Sequence, residues 1–193
     1  MTDLAERRDL DQVYQPAEDT RLLAETAAEC VGDGDRVLDV GTGSGYVASV
    51  AEDSGADVVG ADINPLACQE ARENGVPVVQ ANLTDPFRNR SFDVVLFNPP
   101  YLPTPPADER NDWMEYALSG GEDGRAVIEP FIDGVGRVLA SGGEVLLLVS
   151  TLTDPDAVVD FAADYGFDAT EIASEKHAFE RLLVLRLQRS TDG

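Results

Sequence analysis

The residues best suited to chemistry are four consecutive ones, Asn98-Pro99-Pro100-Tyr101, which follow the apolar run Phe92–Phe97. Proline fixes its own φ angle and restricts the residue before it, so this corner of the chain is stiff. Stiffness would aim the Asn98 side-chain oxygen and the Pro99 carbonyl at one point, where two acceptors can grip an NH2 group. Tyr101 would cover a planar group by stacking. We therefore predict a catalytic corner that orients an amide or aromatic amine nitrogen toward an electrophile.

A glycine-rich turn precedes this corner in the chain. Gly41, Gly43 and Gly45 follow the apolar run RVLDV, and Asp39 lies two residues before the first glycine. Glycines let the backbone turn tightly and approach a ligand closely. A dinucleotide needs its pyrophosphate at the following helix N-terminus, and Asp39 would repel it. The turn favours a cofactor with positive groups and no phosphate, and S-adenosylmethionine, with its ammonium and sulfonium charges, fits.

Two further pairs of residues end predicted strands on the cofactor side. Asp62-Ile63 closes the second strand, where a carboxylate can accept hydrogen bonds from both ribose hydroxyls. Asn82-Leu83 closes the third strand, where Asn82 could meet the adenine amino group and Leu83 the ring. A plain helix cap is the alternative explanation for Asp62 and Ile63. Because ligands of open α/β sheets bind at the carboxyl ends of strands, we predict cofactor contacts from all four residues.

The elements that must position these residues are apolar strands alternating with helical segments. We predict an α/β fold with a seven-stranded, mainly parallel sheet and one antiparallel strand, formed as a single domain over residues 1–193 with 1–12 flexible. Pro77 favours an edge position for its strand, and Pro130 predicts a kink or break in its helix. The predicted strands are 36–40, 56–62, 76–83, 92–97, 143–150 and a closing hairpin of 167–174 with 180–188; the predicted helices are 17–30, one from about 44, 65–74, 122–140 and 154–165.

The composition restricts partners and location. The chain has 193 residues, 37 of them acidic and 14 basic, and its formal net charge is −23. Such self-repulsion suits high salt, so we expect a salt-loving source, and the lack of a basic stripe makes a nucleic-acid partner unlikely. No apolar run is long enough to span a membrane and no signal-peptide pattern is present, which predicts a cytoplasmic protein. We expect Cys30 and Cys68 to be small, buried, apolar residues. The sequence contains no Cys/His cluster that would suggest a metal site.

In order and spacing, these motifs resemble the HemK/PrmC-like protein-glutamine N5-methyltransferases, specifically their compact archaeal and eukaryotic branch. VYQPAEDTRLL is similar to the opening motif of that branch, and LDVGTGSG, ADINPLA and NPPYLPTPP match in order. SGGEDGR, Ser119–Arg125, is similar to a stretch that follows the catalytic loop. The resemblance covers nearly the whole chain. It implies a Rossmann-like class I S-adenosylmethionine-dependent methyltransferase in which the corner Asn98–Tyr101 is catalytic and Asn98 also meets the cofactor.

The resemblance also implies a substrate and a partner. The substrate is the glutamine of the GGQ tripeptide in a class-1 translation termination factor, and Tyr14 and Thr20 lie near the methionine part of the cofactor. The partner is a small zinc-binding activator, which would form a heterodimer by adding a strand to the exposed edge 76–83. Pro77 removes one donor from that pairing. Gln15 stands where the family usually has an acid, and Asn82 where an aspartate is common.

Two other functions remain open from the sequence. Adenine-N6 and guanine-N2 methyltransferases of nucleic acids share the sequence NPPY, although they need a basic surface. A cofactor-binding subunit without catalysis is the second alternative, and the intact corner Asn98–Tyr101 disfavours it.

Overall fold

The computed structural model describes residues 13–105 and 112–190, so the segment 1–12 that was predicted to be flexible lies outside the described residues. The helices are α1 (Glu18–Cys30), α2 (Tyr46–Asp53), α3 (Pro65–Glu73), α4 (Trp113–Leu118), α5 (Ile128–Val135) and α6 (Pro155–Asp164). The strands are β1 (Arg36–Val40), β2 (Asp57–Asp62), β3 (Val78–Gln80), β4 (Phe92–Phe97), β5 (Leu139–Ser150), β6 (Phe167–Lys176) and β7 (Arg181–Arg189).

The seven strands form one sheet in the order β3-β2-β1-β4-β5-β7-β6. The first five in this order are parallel to one another, because each is reached through a crossover that returns the chain to the opposite end of the sheet. β7 is antiparallel to both of its neighbours, since a short turn joins it to β6. The predicted fold class, with one antiparallel strand, is confirmed.

Two apolar clusters cover the two faces of the sheet. Helices α5 and α6 pack on one face, where Phe97 and Phe131 are fully buried with ring centroids 4.4 Å apart. Helices α1 and α2 pack on the other face around Leu23 and Leu96. Parallel strands covered on both faces read as continuous apolar runs, which is why β1 and β4 were recognisable in the sequence. The clusters hold the carboxyl ends of β1, β2 and β4 side by side.

The structure corrects several boundaries. β3 covers only 78–80 of the predicted 76–83, and the predicted helix 122–140 contains only α5 before β5 begins at Leu139. Pro130 is the third residue of α5 and causes no break, because the first turn of a helix has no use for its missing N–H. Helix α4 was not predicted, since it is short and follows a proline-rich stretch.

Pro77 and the cysteines also differ from their expectations in detail. β3 is an edge strand as predicted, but Pro77 lies just before it. Cys68 is buried as predicted, whereas Cys30 is only partly buried and its Sγ lies 3.2 Å from the Arg186 Nη2 donor.

Among the described residues, no helix has the length and apolar character needed to cross a membrane.

Candidate active site

One cavity of about 510 Å³ opens at the carboxyl ends of β1, β2 and β4. Its size is in the range of ordinary cofactor sites. All but one of the predicted site residues line it, drawn from five separate parts of the chain: Tyr14, Thr20, Asp39, Gly41, Gly43, Asp62, Ile63, Asn82, Leu83, Asn98, Pro99, Pro100 and Tyr101. The exception is Gly45.

The glycine turn between β1 and α2 is tied to the end of β2. The Gly43 amide donates to Asp62 Oδ2 at 2.9 Å, and the Asn64 amide donates to Asp62 Oδ1 at 2.9 Å. Gly41 has a φ of 64°, and a Cβ there would lie 3.4 Å from the Phe97 ring. The turn therefore lies directly against the last residue of β4. Burial raises the pKa of Asp62, while backbone N–H groups act in the opposite direction.

Asp39 lies beneath this turn and is only 2% exposed. Its Oδ2 accepts a hydrogen bond from Thr42 Oγ1 at 2.6 Å. Burial raises the pKa of Asp39 to about 7, although the bond from Thr42 opposes the rise. A buried carboxylate with such a pKa has unmet demand for positive charge, so a cationic ligand at this wall of the cavity would be stabilised.

Gly45 does not line the cavity, and it instead allows the glycine turn to pack closely against Val76. It caps α2 with a φ of 85°, and a Cβ there would lie 2.8 Å from Val76 Cγ2. The turn needs a glycine at this position because its backbone is left-handed and because the Val76 side chain leaves no space for a Cβ. The prediction of a direct cofactor contact at Gly45 finds no support in the lining of the cavity.

The opposite rim of the cavity is more open. Ile63 is 47% exposed, and the Asn82 side chain is exposed as well. Leu83 has a φ of 49°, which is unusual for a bulky residue and indicates that the loop after β3 is held in a defined shape. These three residues form an apolar ledge with one amide, a surface suited to a flat aromatic base.

The corner after β4 places the Asn98 amide at the inner end of the cavity. Asn98 Nδ2 donates to Asp19 Oδ2 at 3.2 Å and to Thr20 Oγ1 at 3.4 Å. Asn98 Oδ1 is buried and has no hydrogen-bond partner among the described residues. A buried carbonyl oxygen without a partner is costly, so its presence beside a cavity indicates a site for a donor supplied by a ligand.

Two tyrosines and two carboxylates line the cavity together with this amide. Tyr14 Oη donates to both oxygens of Asp19, each at 3.1 Å. Burial, together with the charges of Asp19 and Glu180, raises the pKa of Tyr101, and burial and Asp19 do the same for Tyr14. Both phenols therefore stay protonated at neutral pH, and they cannot serve as proton acceptors there.

The comparisons with known proteins agree with this geometry. A methyltransferase domain model matches residues 38–99. The chain is 37% identical to a putative protein N5-glutamine methyltransferase of Methanocaldococcus jannaschii, covering 92% of each protein. It is 33% identical to human methyltransferase HEMK2, covering 92% of this chain and 90% of that protein. The chain belongs to the HemK-like protein-glutamine N5-methyltransferases.

A solved structure extends the comparison to three dimensions. The chain is similar to one in the E. cuniculi Mtq2–Trm112 complex, with a TM-score of 0.78 and 29% identity, covering 93% of this chain and 99% of that one. That complex is described as responsible for methylation of the eRF1 translation termination factor.

In this HemK-like methyltransferase, SGGEDGR packs against the corner Asn98–Tyr101 that was predicted to be catalytic. The Gly120 amide donates to the Leu102 carbonyl at 2.9 Å, and the Leu102 amide donates to the Leu118 carbonyl at 2.9 Å. A Cβ on Gly124 would lie 2.5 Å from the Tyr101 carbonyl, and Gly124 has a φ of 77°. The motif therefore braces the corner through backbone contacts that leave no room for side chains.

Sequence reasoning on this HemK-like chain missed several residues of the site. Asp19 was noted as part of the opening motif but was given no role. Glu180, the residue just before β7, lines the cavity and accepts a hydrogen bond from Ser150 Oγ. Trp113 and Tyr116 of α4 also line the cavity, and Tyr116 is 57% exposed. For Glu180 no local pattern gave a signal, because only the sheet brings the final hairpin beside the catalytic corner.

Proposed function

We propose that this chain methylates the side-chain amide nitrogen of the GGQ glutamine in a class-1 translation termination factor, with S-adenosylmethionine as methyl donor. The observation that carries the proposal is the unpartnered Asn98 Oδ1, buried beside the cavity in a chain of the glutamine N5-methyltransferase family. The relatives named release factor glutamine methyltransferase, and the neighbour that acts on eRF1, support this choice of substrate.

The residues present fit the proposed methyl donor. Asp39 supplies a buried carboxylate whose raised pKa reflects an unmet need for positive charge. Asp62 lies at the end of β2, where a carboxylate can accept from ribose hydroxyls, and Ile63, Asn82 and Leu83 form a ledge for the adenine. Tyr14, which donates to Asp19, and Thr20, whose Oγ1 lies 3.4 Å from Asn98 Nδ2, would lie near the methionine part. When bound, S-adenosylmethionine would supply an electrophilic methyl group: the N–CH3 bond forms as the S–CH3 bond breaks, S-adenosylhomocysteine is the leaving group, and one amide proton is lost to solvent.

The contribution of the chain is to orient the acceptor. An amide nitrogen is a poor nucleophile because its lone pair is delocalised into the carbonyl group. Asn98 Oδ1 and the Pro99 carbonyl would each accept one N–H of the glutamine amide, and Tyr101 would stack over its plane. Holding both hydrogens fixes the nitrogen with its face toward the donor, and orientation of this kind can contribute up to about 7–11 kcal/mol.

The test is transfer of labelled methyl by the purified chain together with its activator, at high salt, to a recombinant termination factor. Mass spectrometry locates the added methyl group. Methyl on the GGQ glutamine is the expected result, and a termination factor with that glutamine replaced by alanine is the control. Label in RNA or DNA with none in protein would contradict the proposal. Termination is a cytoplasmic event, so the proposal places the enzyme in the cytoplasm.

The partner that we propose is a small zinc-binding activator, which forms a heterodimer through β3. This strand is one of the two edges of the sheet, and Val79 is 39% exposed. The Pro77 carbonyl accepts from the Gly60 amide of β2. Because the N–H and C=O of one residue point to the same side of a strand, the donor that Pro77 lacks would face β2 and not the open edge. Pro77 therefore does not weaken strand addition.

Substitution at this edge tests the partner. Val79→Lys places a charge on the exposed strand and should abolish copurification with the activator, because strand addition brings partner side chains against it. Thr170→Lys on β6, an exposed residue at the opposite edge, is the matched control and should leave copurification unchanged. The zinc content of the purified pair reports the metal-binding nature of the partner. Equal copurification of both variants would exclude β3 as the docking edge.

A further inference from the structure

We propose that Asp19 is the positioning residue that fixes which end of the Asn98 amide faces the acceptor group. The inference rests on the proposed function, since it assigns the choice between the two orientations of the amide that must grip the substrate. Asp19 is only 5% exposed and lies in the first turn of α1, far from β4 in the chain.

Asparagine has two ends of opposite character. Its oxygen accepts hydrogen bonds and its NH2 group donates them, so turning the amide over exchanges an acceptor for a donor. Only the orientation with Oδ1 in the cavity can accept an N–H from a glutamine amide. With the NH2 group in the cavity, two NH2 groups would face each other and the substrate would be repelled.

The surroundings of Asp19 admit only one of these orientations. Asp19 Oδ1 lies 2.7 Å from the Thr20 amide and 3.2 Å from Thr20 Oγ1, and both of these groups donate to it. Tyr14 Oη and Asn98 Nδ2 also donate to Asp19. An ionised carboxylate accepts only, so every partner must present an N–H or O–H. Asn98 therefore has to present Nδ2 to Asp19, which leaves Oδ1 as the end of the amide without a partner among the described residues.

Two features keep this carboxylate available as an acceptor. Negative charge in the first turn of a helix is favoured by the helix dipole, and Asp19 occupies the second position of α1. The Thr20 hydroxyl donates to Asp19 and at the same time lies 3.4 Å from Asn98 Nδ2, so its oxygen can accept the second proton of that group. The opening motif and the catalytic corner thus form one unit, although 79 positions separate Asp19 from Asn98.

The test combines turnover with a measurement that needs no substrate. Asp19→Asn introduces a second amide whose NH2 group can face Asn98, so both orientations become populated. We expect kcat to fall about 10- to 100-fold, while the Kd for S-adenosylhomocysteine, measured by calorimetry, changes less than about threefold. In nuclear magnetic resonance spectra the Asn98 NH2 signals, assigned by their loss in Asn98→Asp, should move on Asp19→Asn substitution. Tyr14→Phe leaves the Asp19–Asn98 bond intact and should shift those signals much less.

A charge swap gives the sharpest outcome. Asn98→Asp alone sets two carboxylates against each other and should be inactive. The double variant Asp19→Asn with Asn98→Asp restores a donor–acceptor pair and leaves a carboxylate oxygen toward the cavity, so we expect it to recover at least about tenfold over Asn98→Asp. If Asp19→Asn fails to fold, the experiment uses Asp19→Ser instead, because serine is tolerated in the first turn of a helix. The same decrease in kcat is expected for that variant.

The outcomes separate this inference from the proposed function. Wild-type kcat in the Asp19 variant, or unchanged Asn98 NH2 signals, would overturn the positioning role. Absence of methyl transfer by the unaltered chain in the presence of its activator would overturn the proposed substrate, while the NH2 signals would still decide the role of Asp19.

Discussion

The two ends of the cavity are built in different ways. At the cofactor end, the glycine turn, Asp39 and Asp62 come from one strand–turn–helix unit and the strand beside it, and 23 positions separate the two carboxylates. At the acceptor end, Asp19, Asn98 and Glu180 come from the start, middle and end of the chain. Local sequence is thus sufficient to describe the first end, whereas the second exists only after the sheet has formed.

This difference predicts how each end fails. Substitutions at the cofactor end should weaken binding and leave chemistry in the bound complex largely intact. Substitutions at the acceptor end should lower turnover and leave binding largely intact. Four experiments test that separation, beginning with the largest expected effect on turnover or binding.

Asn98→Ala should have the largest effect. It removes the buried acceptor Oδ1, and we expect kcat to fall at least about 10³-fold because loss of one positioned hydrogen-bonding group in an active site costs about 10²–10³ and orientation is lost as well. Calorimetry with S-adenosylhomocysteine should show little change. Asn82→Ala, at the other end, is the control and should weaken cofactor binding with kcat at saturation retained. Normal turnover by Asn98→Ala would favour a non-catalytic role for the protein.

Gly124→Ala should be the next largest. A Cβ there would lie 2.5 Å from the Tyr101 carbonyl, so the catalytic corner has to move. Displacements of about 1 Å in an active site can cost about 10²-fold, and we expect a loss of that order in kcat at constant cofactor Kd. Gly142→Ala is the matched control, because Gly142 has a similar φ of 79° with nothing within 4 Å. Equal turnover of the two variants would show that SGGEDGR does not brace the corner.

Asp62→Asn should weaken cofactor binding about 10- to 100-fold. The carboxylate accepts from the Gly43 and Asn64 amides, and an NH2 group in place of one oxygen would face a donor. Calorimetry measures the Kd, and kcat at saturating cofactor should change by less than about threefold. Asp57→Asn, at the exposed start of the same strand, is the control and should bind normally. A loss of kcat with normal Kd would break the proposed division between the two ends.

The pH dependence of cofactor binding should be the smallest effect. Burial raises the pKa of Asp39 to about 7, and a cationic ligand binds its ionised form. Affinity should therefore fall about tenfold as the pH is lowered from 8 to 6. Asp39→Asn should bind weakly and show no such slope, while Asp57→Asn should keep it. A wild-type affinity that is constant over this range would exclude Asp39 as the titrating group.

Lowering the pH should affect folding stability in the opposite direction from cofactor binding. It weakens binding, but it increases the contribution of Asp39 to the stability of the ligand-free protein. Its folded-state pKa lies above the ordinary carboxyl value of 3.8, so the ligand-free protein favours the protonated form. This contribution is complete below that value and is lost as the pH rises toward 7. Denaturant unfolding of wild type and Asp39→Asn without cofactor measures it, and a wild-type advantage that grows from pH 4 to 7 would contradict the sign.

The cofactor end and the sheet could be predicted from the sequence by itself. Buried parallel strands must be apolar along their whole length, and the glycines after β1 must allow positive φ, so both leave local patterns. The sequence also predicted the stiff corner Asn98–Tyr101, because prolines restrict the backbone independently of the fold. Prediction from the sequence overestimated the length of β3 and missed α4, because both are short elements whose patterns are weak. It also expected a kink or break at Pro130 in α5, but proline is compatible with the first turn of a helix.

Only the tertiary structure decided the environment of Asn98. An asparagine after a strand has no preferred amide orientation until something buries one end of it. Packing of α1 against the sheet brings Asp19 to Nδ2, and the pairing of β7 with β5 brings Glu180 beside Tyr101. Contacts between residues so far apart depend on the order of the strands, which no local periodicity encodes, and they determine which atom of Asn98 faces the acceptor.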